Sequence, residues 1–187
     1  MTERRTGRLA RVALRDVWAR ECPEFAPWLA SPDNLEALGE AVGLRLVAPV
    51  PERRAAGCQA DIVCRDVASG LPVVIEAQLG PSDHAHLGQL MAYATAFDAA
   101  AAVWLAREFR DVHREAIDRL NLHSGGGVRY YGVALEMWAV DDSLPAPRFD
   151  VVARPGDSPA PASPAAAWRP AQVRVPLAPP GRAARAR

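Results

Sequence analysis

The sequence predicts one α/β domain in which helices flank a mixed β-sheet. Short apolar stretches of strand length alternate with longer segments whose apolar residues recur at helical spacing. Two of the predicted strands form a hairpin, and the segments after it alternate between helix and strand. A hairpin followed by crossover helices makes a mixed sheet. The expected element order is therefore α-β-β-β-α-β-α-β. The length of 187 residues suits one compact domain with extensions.

The first half of the chain is expected to contain one helix and four strands. Residues 9–18 alternate partially and are predicted to be a strand at the edge of the domain. Ser31-Pro32-Asp33 is typical of a helix start and Gly43 of a helix stop. Ala68-Ser69-Gly70 is the turn of the predicted hairpin. The three strands after the helix are expected at 44–50, 59–67 and 71–79.

Helices and strands alternate in the second half of the chain. Ser82 or Asp83 is expected to cap a helix that runs to about Asp98, with its apolar residues on one face. His113 is expected to lie on an exposed part of a second, charged helix. The remaining elements are a strand at 101–106, this second helix at 107–122, a long strand at 128–140 and an edge strand at 149–153.

Composition divides the chain into three segments. Residues 1–24 are a basic N-terminal arm with the edge strand, residues 25–153 are the α/β domain, and residues 154–187 are a tail rich in Pro, Ala and Arg. Eight of the seventeen prolines lie between positions 155 and 180. Such a tail lacks the apolar residues for a core and is expected to be disordered.

Charge is unevenly distributed along the chain. All 22 basic residues are arginine. Residues 21–153 carry ten arginines against nineteen acids, a net charge of −9, whereas proteins that bind nucleic acid usually present a basic surface. The arginine-rich ends of the chain could supply the missing positive charge.

The sequence argues against several classes of protein. No apolar run reaches the ~18 residues of a membrane span, so no membrane partner is expected and a cytoplasmic location is predicted. The spacing of Cys22, Cys58 and Cys64 fits neither a disulfide framework nor a structural zinc site. We find no motif for an organic cofactor, a P-loop or a covalent nucleophile.

Two polar residues, Glu76 and Gln78, interrupt the most apolar predicted strand. Alternate residues of a strand share a face, so both side chains project together. A two-residue hairpin turn places Asp61 opposite Gln78, and a turn wider by two residues places it opposite Glu76. In both registers the three side chains share a face, about 4.5–8 Å apart. A three-residue turn would point Asp61 the other way.

The pair formed by Asp61 and Glu76 predicts a metal site. Two carboxylates this close repel each other unless a cation lies between them. Oxygen ligands favour Mg²⁺ or Mn²⁺, and such an ion can activate water for attack on a phosphoryl group. The alternative is that both are ordinary solvent-facing residues of an open sheet face. A carboxylate within so apolar a strand favours the metal site.

These residues resemble the PD-(D/E)XK nuclease superfamily, and residues 73–93 resemble a prokaryotic family of it with a D…ExQ…QxxxY pattern. The resemblance covers roughly residues 31–140 and implies a restriction-endonuclease-like core. It implies that Asp61 and Glu76 bind Mg²⁺ or Mn²⁺ at a catalytic site, with Glu40 as an auxiliary metal ligand. It also implies that Gln78 orients the attacking water, although the position normally holds lysine and glutamine cannot supply its charge.

His86, Gln89 and Tyr93 form one stripe on the helix that follows the Glu76 strand. The spacing of Gln89 and Tyr93 resembles the QxxxY motif of RecB-like members of the superfamily. That resemblance implies that the stripe helps to hold nucleic acid. The alternative for these residues is a half-buried packing role.

The sequence therefore predicts a divalent-metal-dependent nuclease that hydrolyses phosphodiester bonds of nucleic acid, with DNA as the first expectation. A second hypothesis is a catalytically weak or inactive module of the same fold that binds nucleic acid or a protein. The missing lysine and the acidic core favour that hypothesis. A third is a subunit whose site is completed by a protein partner, and a homodimer is also compatible with the sequence.

Overall fold

The computed structural model describes residues 6–125 and 127–156, apart from the side chains of residues 22 and 23. Within them a seven-stranded mixed sheet is flanked by helices, which confirms the predicted α/β class. Residues 157–187, most of the tail that is predicted to be disordered, lie outside the described residues. No helix in the described ranges is both long and apolar enough to cross a membrane.

The sheet combines antiparallel and parallel pairing. Its strands are β1 (Leu9–Val12), β2 (Leu46–Ala55), β3 (Cys58–Asp66), β4 (Pro72–Ala77), β5 (Ala101–Ala106), β6 (Arg129–Val140) and β7 (Ala146–Ala153). The order across the sheet is β1-β6-β5-β4-β3-β2, and β7 also pairs with β6. β4 and β6 each pair parallel with β5, and all other pairs are antiparallel. β5 is buried along its whole length, as expected of a strand covered on both faces.

Helices cover both faces of this sheet. They are α1 (Leu14–Val17), α2 (Ala26–Leu29), α3 (Pro32–Val42), α4 (His84–Ala96) and α5 (Asp111–His123), with a π-helical turn (Glu21–Phe25) before α2. Leu38 of α3 belongs to the core on the face that contains Ile75. Leu90 of α4 and Ile117 of α5 belong to the core on the other face, around Trp104. The helices before the hairpin and those after it therefore lie on opposite sides.

Local signals explain where two of the helices begin and end. α3 begins at Pro32, whose ring suits the first helical turn, and ends before Gly43, which adopts a φ of 72°. α4 begins after Asp83, whose side chain accepts a hydrogen bond from the backbone N–H of His86. Asp83 is therefore the cap, and the predicted positions of both helices are confirmed.

The predicted strand at residues 9–18 is wrong in its second half, because β1 ends at Val12 and the chain turns into α1. Met137 pairs with both β1 and β7, so those strands lie on opposite edges of β6, and β1 shares its edge with β5. β5 pairs with β6 as far as Ala134. A longer β1 would run into the end of β5, so the chain leaves the sheet.

Candidate active site

An open cleft of about 510 Å³ lies where the end of β4 meets β3, α4 and the π-helical turn. β3 contributes Asp61, β4 contributes Glu76, and α4 contributes His86, Gln89 and Tyr93. The fold thus brings these five residues, all singled out from the sequence, to one cavity.

The hairpin of β3 and β4 sets Asp61 beside Glu76. The strands pair with Ile62 opposite Ile75, and continuing this register by one residue places Asp61 opposite Glu76. Of the two registers compatible with the sequence, the hairpin therefore adopts the one with the wider turn. Both side chains line the cleft, as the two-residue period of a strand requires.

Glu76 is an ionisable group in an apolar setting. The residue is only 3% exposed, and its Oε2 atom has no hydrogen-bond partner within the described part of the chain. Burial, followed by the negative charges of Asp61, Glu21 and Asp83, raises the pKa of Glu76 to about 9. A buried carboxylate without a partner is costly, so a proton or a cation is expected to neutralise it at neutral pH.

The backbone of β4 holds the carboxylate of Asp61. The N–H of Ala77 donates a 2.9 Å hydrogen bond to Asp61 Oδ2. Burial raises the pKa of Asp61, against the opposing effects of that hydrogen bond and of His86. The carboxylate is therefore fixed at the end of β4, next to Glu76.

Gln78 directly follows β4, the strand of Glu76, and its side chain points into a buried network. The Nε1 of Trp104 donates a 2.8 Å hydrogen bond to Gln78 Oε1. Gln78 Nε2 donates to the carbonyl of Pro81 at 2.7 Å and to Asp83 Oδ2 at 3.2 Å. Both amide hydrogens are thereby used. Gln78 does not contribute to the lining of the cleft. Its side chain instead supports the segment between β4 and α4.

Asp83 connects this network to the cleft through His86. Its Oδ2 lies 2.7 Å from His86 Nδ1. Burial raises the pKa of Asp83, but hydrogen bonds from His86 and Gln78 outweigh it and lower the pKa well below its usual value. Asp83 is therefore ionised, and His86 Nδ1 is the donor. The other ring nitrogen, Nε2, lies 4.0 Å from Glu76 Oε1.

The helical stripe of His86, Gln89 and Tyr93 forms one wall of the cleft. His86 is half-buried and Gln89 is exposed, whereas Tyr93 is largely buried. Burial and the nearby carboxylates of Glu76 and Asp61 raise the pKa of Tyr93 to about 12. Its hydroxyl group therefore stays protonated and can donate a hydrogen bond.

Glu40 does not join the carboxylate pair, and its expected role as an auxiliary metal ligand there is corrected. It is exposed at the end of α3 and lines a different cleft, beside β2. α3 packs through Leu38 on the face of the sheet that contains Ile75. Glu76 alternates with Ile75 and points to the opposite face. The sheet therefore separates Glu40 from Glu76.

Two acids that were not singled out from the sequence also line the cleft: Glu21 and Glu52. Glu21 Oε1 accepts a 2.8 Å hydrogen bond from the N–H of Leu79, just after β4. The register of β2 with β3 places Glu52 opposite Asp61, and its φ of 51° is uncommon for a residue other than glycine. The sequence did not indicate Glu21 as a site residue because it lies in the basic N-terminal arm. It did not indicate Glu52 because the strand that carries it was predicted to end at position 50.

The prediction that His113 is exposed is wrong, because the residue is only 1% exposed. Its Nδ1 lies 2.7 Å from Ser82 Oγ, and its Nε2 lies 2.8 Å from His84 Nδ1. Burial, followed by the positive charges of His84 and Arg110, lowers the pKa of His113. This network joins the first turns of α4 and α5 outside the cleft.

Asp61 and Glu76 form a donor set that fits a hard cation. They lie opposite each other in the hairpin register and line the same cleft, and Glu76 Oε2 lacks a partner among the residues described. In the same residues, no group of three or more His, Cys, Asp or Glu side chains is arranged to hold a metal ion. Mg²⁺ usually keeps several waters and takes only one or two carboxylates from the protein. The pair therefore suits Mg²⁺ with water as the remaining ligands.

Comparisons with known proteins do not assign this chain to a family. No family model matches the sequence, and no curated protein matches it significantly. The cleft itself combines two carboxylates, a histidine oriented by Asp83 and a wall of hydrogen-bonding side chains.

Proposed function

We propose that the protein is a divalent-metal-dependent nuclease that hydrolyses phosphodiester bonds of nucleic acid, with DNA as the first substrate to test. The main support is the buried carboxylate of Glu76 beside Asp61, because its Oε2 lacks a partner among the described residues. Glu76 also lines an open cleft. The mixed sheet flanked by helices supports the proposal, because the PD-(D/E)XK resemblance implies an α/β fold.

Asp61 and Glu76 would hold Mg²⁺ or Mn²⁺. When bound, such an ion lowers the pKa of water and stabilises charge that builds on a phosphoryl oxygen. The backbone of Ala77 fixes Asp61 for this purpose. The apolar strand β4 holds Glu76 at the wall of the cleft.

His86 would act as the general base. Because its Nδ1 donates to Asp83, the neutral ring presents the lone pair of Nε2 towards the carboxylate pair. Nε2 can take a proton from a water in the cleft, and Asp83 stabilises the resulting imidazolium. Gln78 contributes indirectly, since its amide helps to hold Asp83. Gln89 and Tyr93 supply hydrogen bonds to the bound strand.

A nuclease assay with the full chain tests the proposal. Single- and double-stranded DNA and RNA are incubated with Mg²⁺ or Mn²⁺, and cleavage is followed on gels. We expect cleavage that EDTA stops and that Asp61→Asn and Glu76→Gln each reduce to background. Glu40→Gln is the matched control, because that acid lies on the other side of the sheet. Cleavage that persists in both cleft variants would contradict the assignment.

A binding module of the same fold is the second candidate function. Four acids, namely Glu21, Glu52, Asp61 and Glu76, share the cleft with the arginines 15 and 20, and glutamine replaces the lysine of the motif. Titration calorimetry separates the two functions. A nuclease binds Mg²⁺ or Mn²⁺ through Asp61 and Glu76, whereas a pure binder shows neither that uptake nor cleavage.

A further inference from the structure

A second cleft adjoins the carboxylate cleft and is lined mainly by positive and apolar residues. Its volume is about 440 Å³, and three arginines line it: Arg11, Arg15 and Arg107. Glu108 is the one acid on its wall within the described chain, and the other lining residues are apolar. Arg15 lines both clefts. We refer to the cavity around these three arginines as the arginine pocket.

Three separate elements bring the arginines together. Arg11 lies in β1, Arg15 lies in α1, and Arg107 follows β5. The backbone N–H of Arg107 donates a 3.0 Å hydrogen bond to the carbonyl of Gly80, in the segment that leaves β4 after Glu76. The arginine pocket is therefore fastened to the segment that follows β4, the strand of Glu76.

Each of these guanidinium groups pairs with one carboxylate, and this pairing leaves N–H donors available for another ligand. Arg11 pairs with Glu136 at 3.3 Å, Arg15 with Glu21 at 3.4 Å and Arg107 with Glu108 at 3.1 Å. All three arginine side chains are about half exposed, so these pairs contribute little to stability. A guanidinium has five N–H donors, and a phosphate can therefore bind without displacing the carboxylate.

We propose that the arginine pocket binds the phosphate backbone of the nucleic-acid strand next to the bond that lies over Asp61 and Glu76. The choice of ligand rests on the proposed function. The carboxylate cleft has more acids than bases and repels a phosphate chain, so attraction must come from its surroundings. Arg15 stands at the border of the two clefts and contacts the phosphate nearest to the carboxylates. Arg11 and Arg107 contact the phosphates beyond it.

Salt-dependent binding tests this arrangement. The full chain is titrated into a fluorescent single-stranded oligonucleotide in EDTA, so that metal-dependent cleavage does not interfere, and anisotropy gives Kd at several salt concentrations. Each lost phosphate contact on a single strand lowers the slope of log K against log salt by about 0.7, or roughly fivefold in affinity at about 0.1 M salt. We expect that loss for Arg11→Gln, Arg15→Gln and Arg107→Gln.

Two controls separate a phosphate contact from a general effect. Arg114 on α5 is equally exposed and pairs with Asp111 at 3.4 Å, and Arg114→Gln should leave Kd and slope unchanged. Arg15→Lys keeps the charge and should keep the slope. Each variant keeps every other arginine of the chain, so a difference from the wild type reports the substituted residue alone. Unchanged slopes in all three glutamine variants, or equal loss in Arg114→Gln, would overturn the proposal.

The binding result can be read independently of the nuclease proposal. If binding depends on the three arginines but the Asp61→Asn variant cleaves as well as the wild type, the nuclease site fails and the arginine pocket stands. If cleavage depends on Asp61 while the arginine variants bind and cleave normally, the nuclease proposal stands and the pocket fails.

Discussion

The indole Nε1 of Trp104 donates a 2.8 Å hydrogen bond to the side-chain oxygen of Gln78. Trp104 lies on β5, directly opposite Glu76 in the parallel register with β4, and is fully buried. The other end of the Gln78 amide donates to Pro81 and Asp83. Gln78 thus joins the core of the sheet to the cap of α4. It influences the cleft indirectly, because it bonds to Asp83, which in turn bonds to His86.

The Gln78→Ala variant is expected to lower the free energy of unfolding. Truncation removes the partner of the buried Trp104 N–H and two hydrogen bonds at the start of α4, and each orphaned buried group costs about 1–3 kcal/mol. Urea denaturation measures the change. Gln89→Ala is the matched control on the exposed face of α4 and should change stability by less than about 0.5 kcal/mol. Equal stability of the two variants would contradict the buried network.

The Glu76→Gln variant is expected to stabilise the metal-free protein, and more so at high pH. The pKa of Glu76 is raised from 4.5 to about 9 in the folded protein. The native state therefore keeps a proton that the unfolded state has released between those values. The stability associated with that proton is present below pH 4.5 and is lost as pH rises towards 9.

Urea denaturation in EDTA at several pH values checks this effect. The wild type should lose stability relative to Glu76→Gln as pH rises, and Glu40→Gln should follow the wild type because Glu40 is exposed. Parallel pH profiles for the wild type and Glu76→Gln would show that burial of Glu76 does not cost free energy.

His113 is expected to make the fold sensitive to acid. Its pKa lies below the usual 6.5 because of burial and the charges of His84 and Arg110. Below pH 6.5 the unfolded state takes up a proton that the folded state resists, so stability falls as pH drops through that range. His113→Gln should reduce this dependence of the free energy of unfolding on pH. His123→Gln should not, because His123 is exposed. Denaturation profiles from pH 7 downwards measure both, and identical slopes for the two variants would exclude His113 as the source.

His86→Gln is expected to reduce nucleic-acid cleavage by about 10²–10⁴-fold, the usual contribution of a general base. Asp83→Asn should reduce it less, because the ring remains but loses the carboxylate that orients it. Rates at saturating substrate check this, with circular dichroism to confirm that the helix content of each variant equals that of the wild type. Equal rates for wild type and His86→Gln would assign the proton transfer to another group.

Local signals in the sequence were sufficient for most of the elements. Pro32 and Gly43 bound α3, and Asp83 caps α4, because capping depends on residues within one turn. The common face of Asp61 and Glu76 follows from the sequence for both registers that it favours, since side chains alternate along a strand. The sequence left two registers open, and the pairing of Ile62 with Ile75 decides between them.

Contacts between segments that are distant along the chain could not be predicted from the sequence. It determined that Asp61, Glu76 and the stripe of α4 could meet, because period-2 strands and 3.6-residue helical turns are local geometry. Only the tertiary structure decided that Glu40 lies across the sheet, that Glu21 enters the cleft and that Gln78 bonds to Trp104. Those contacts depend on which strands become neighbours and which face each helix covers. Packing of the whole core determines that choice, and no short stretch of sequence encodes it.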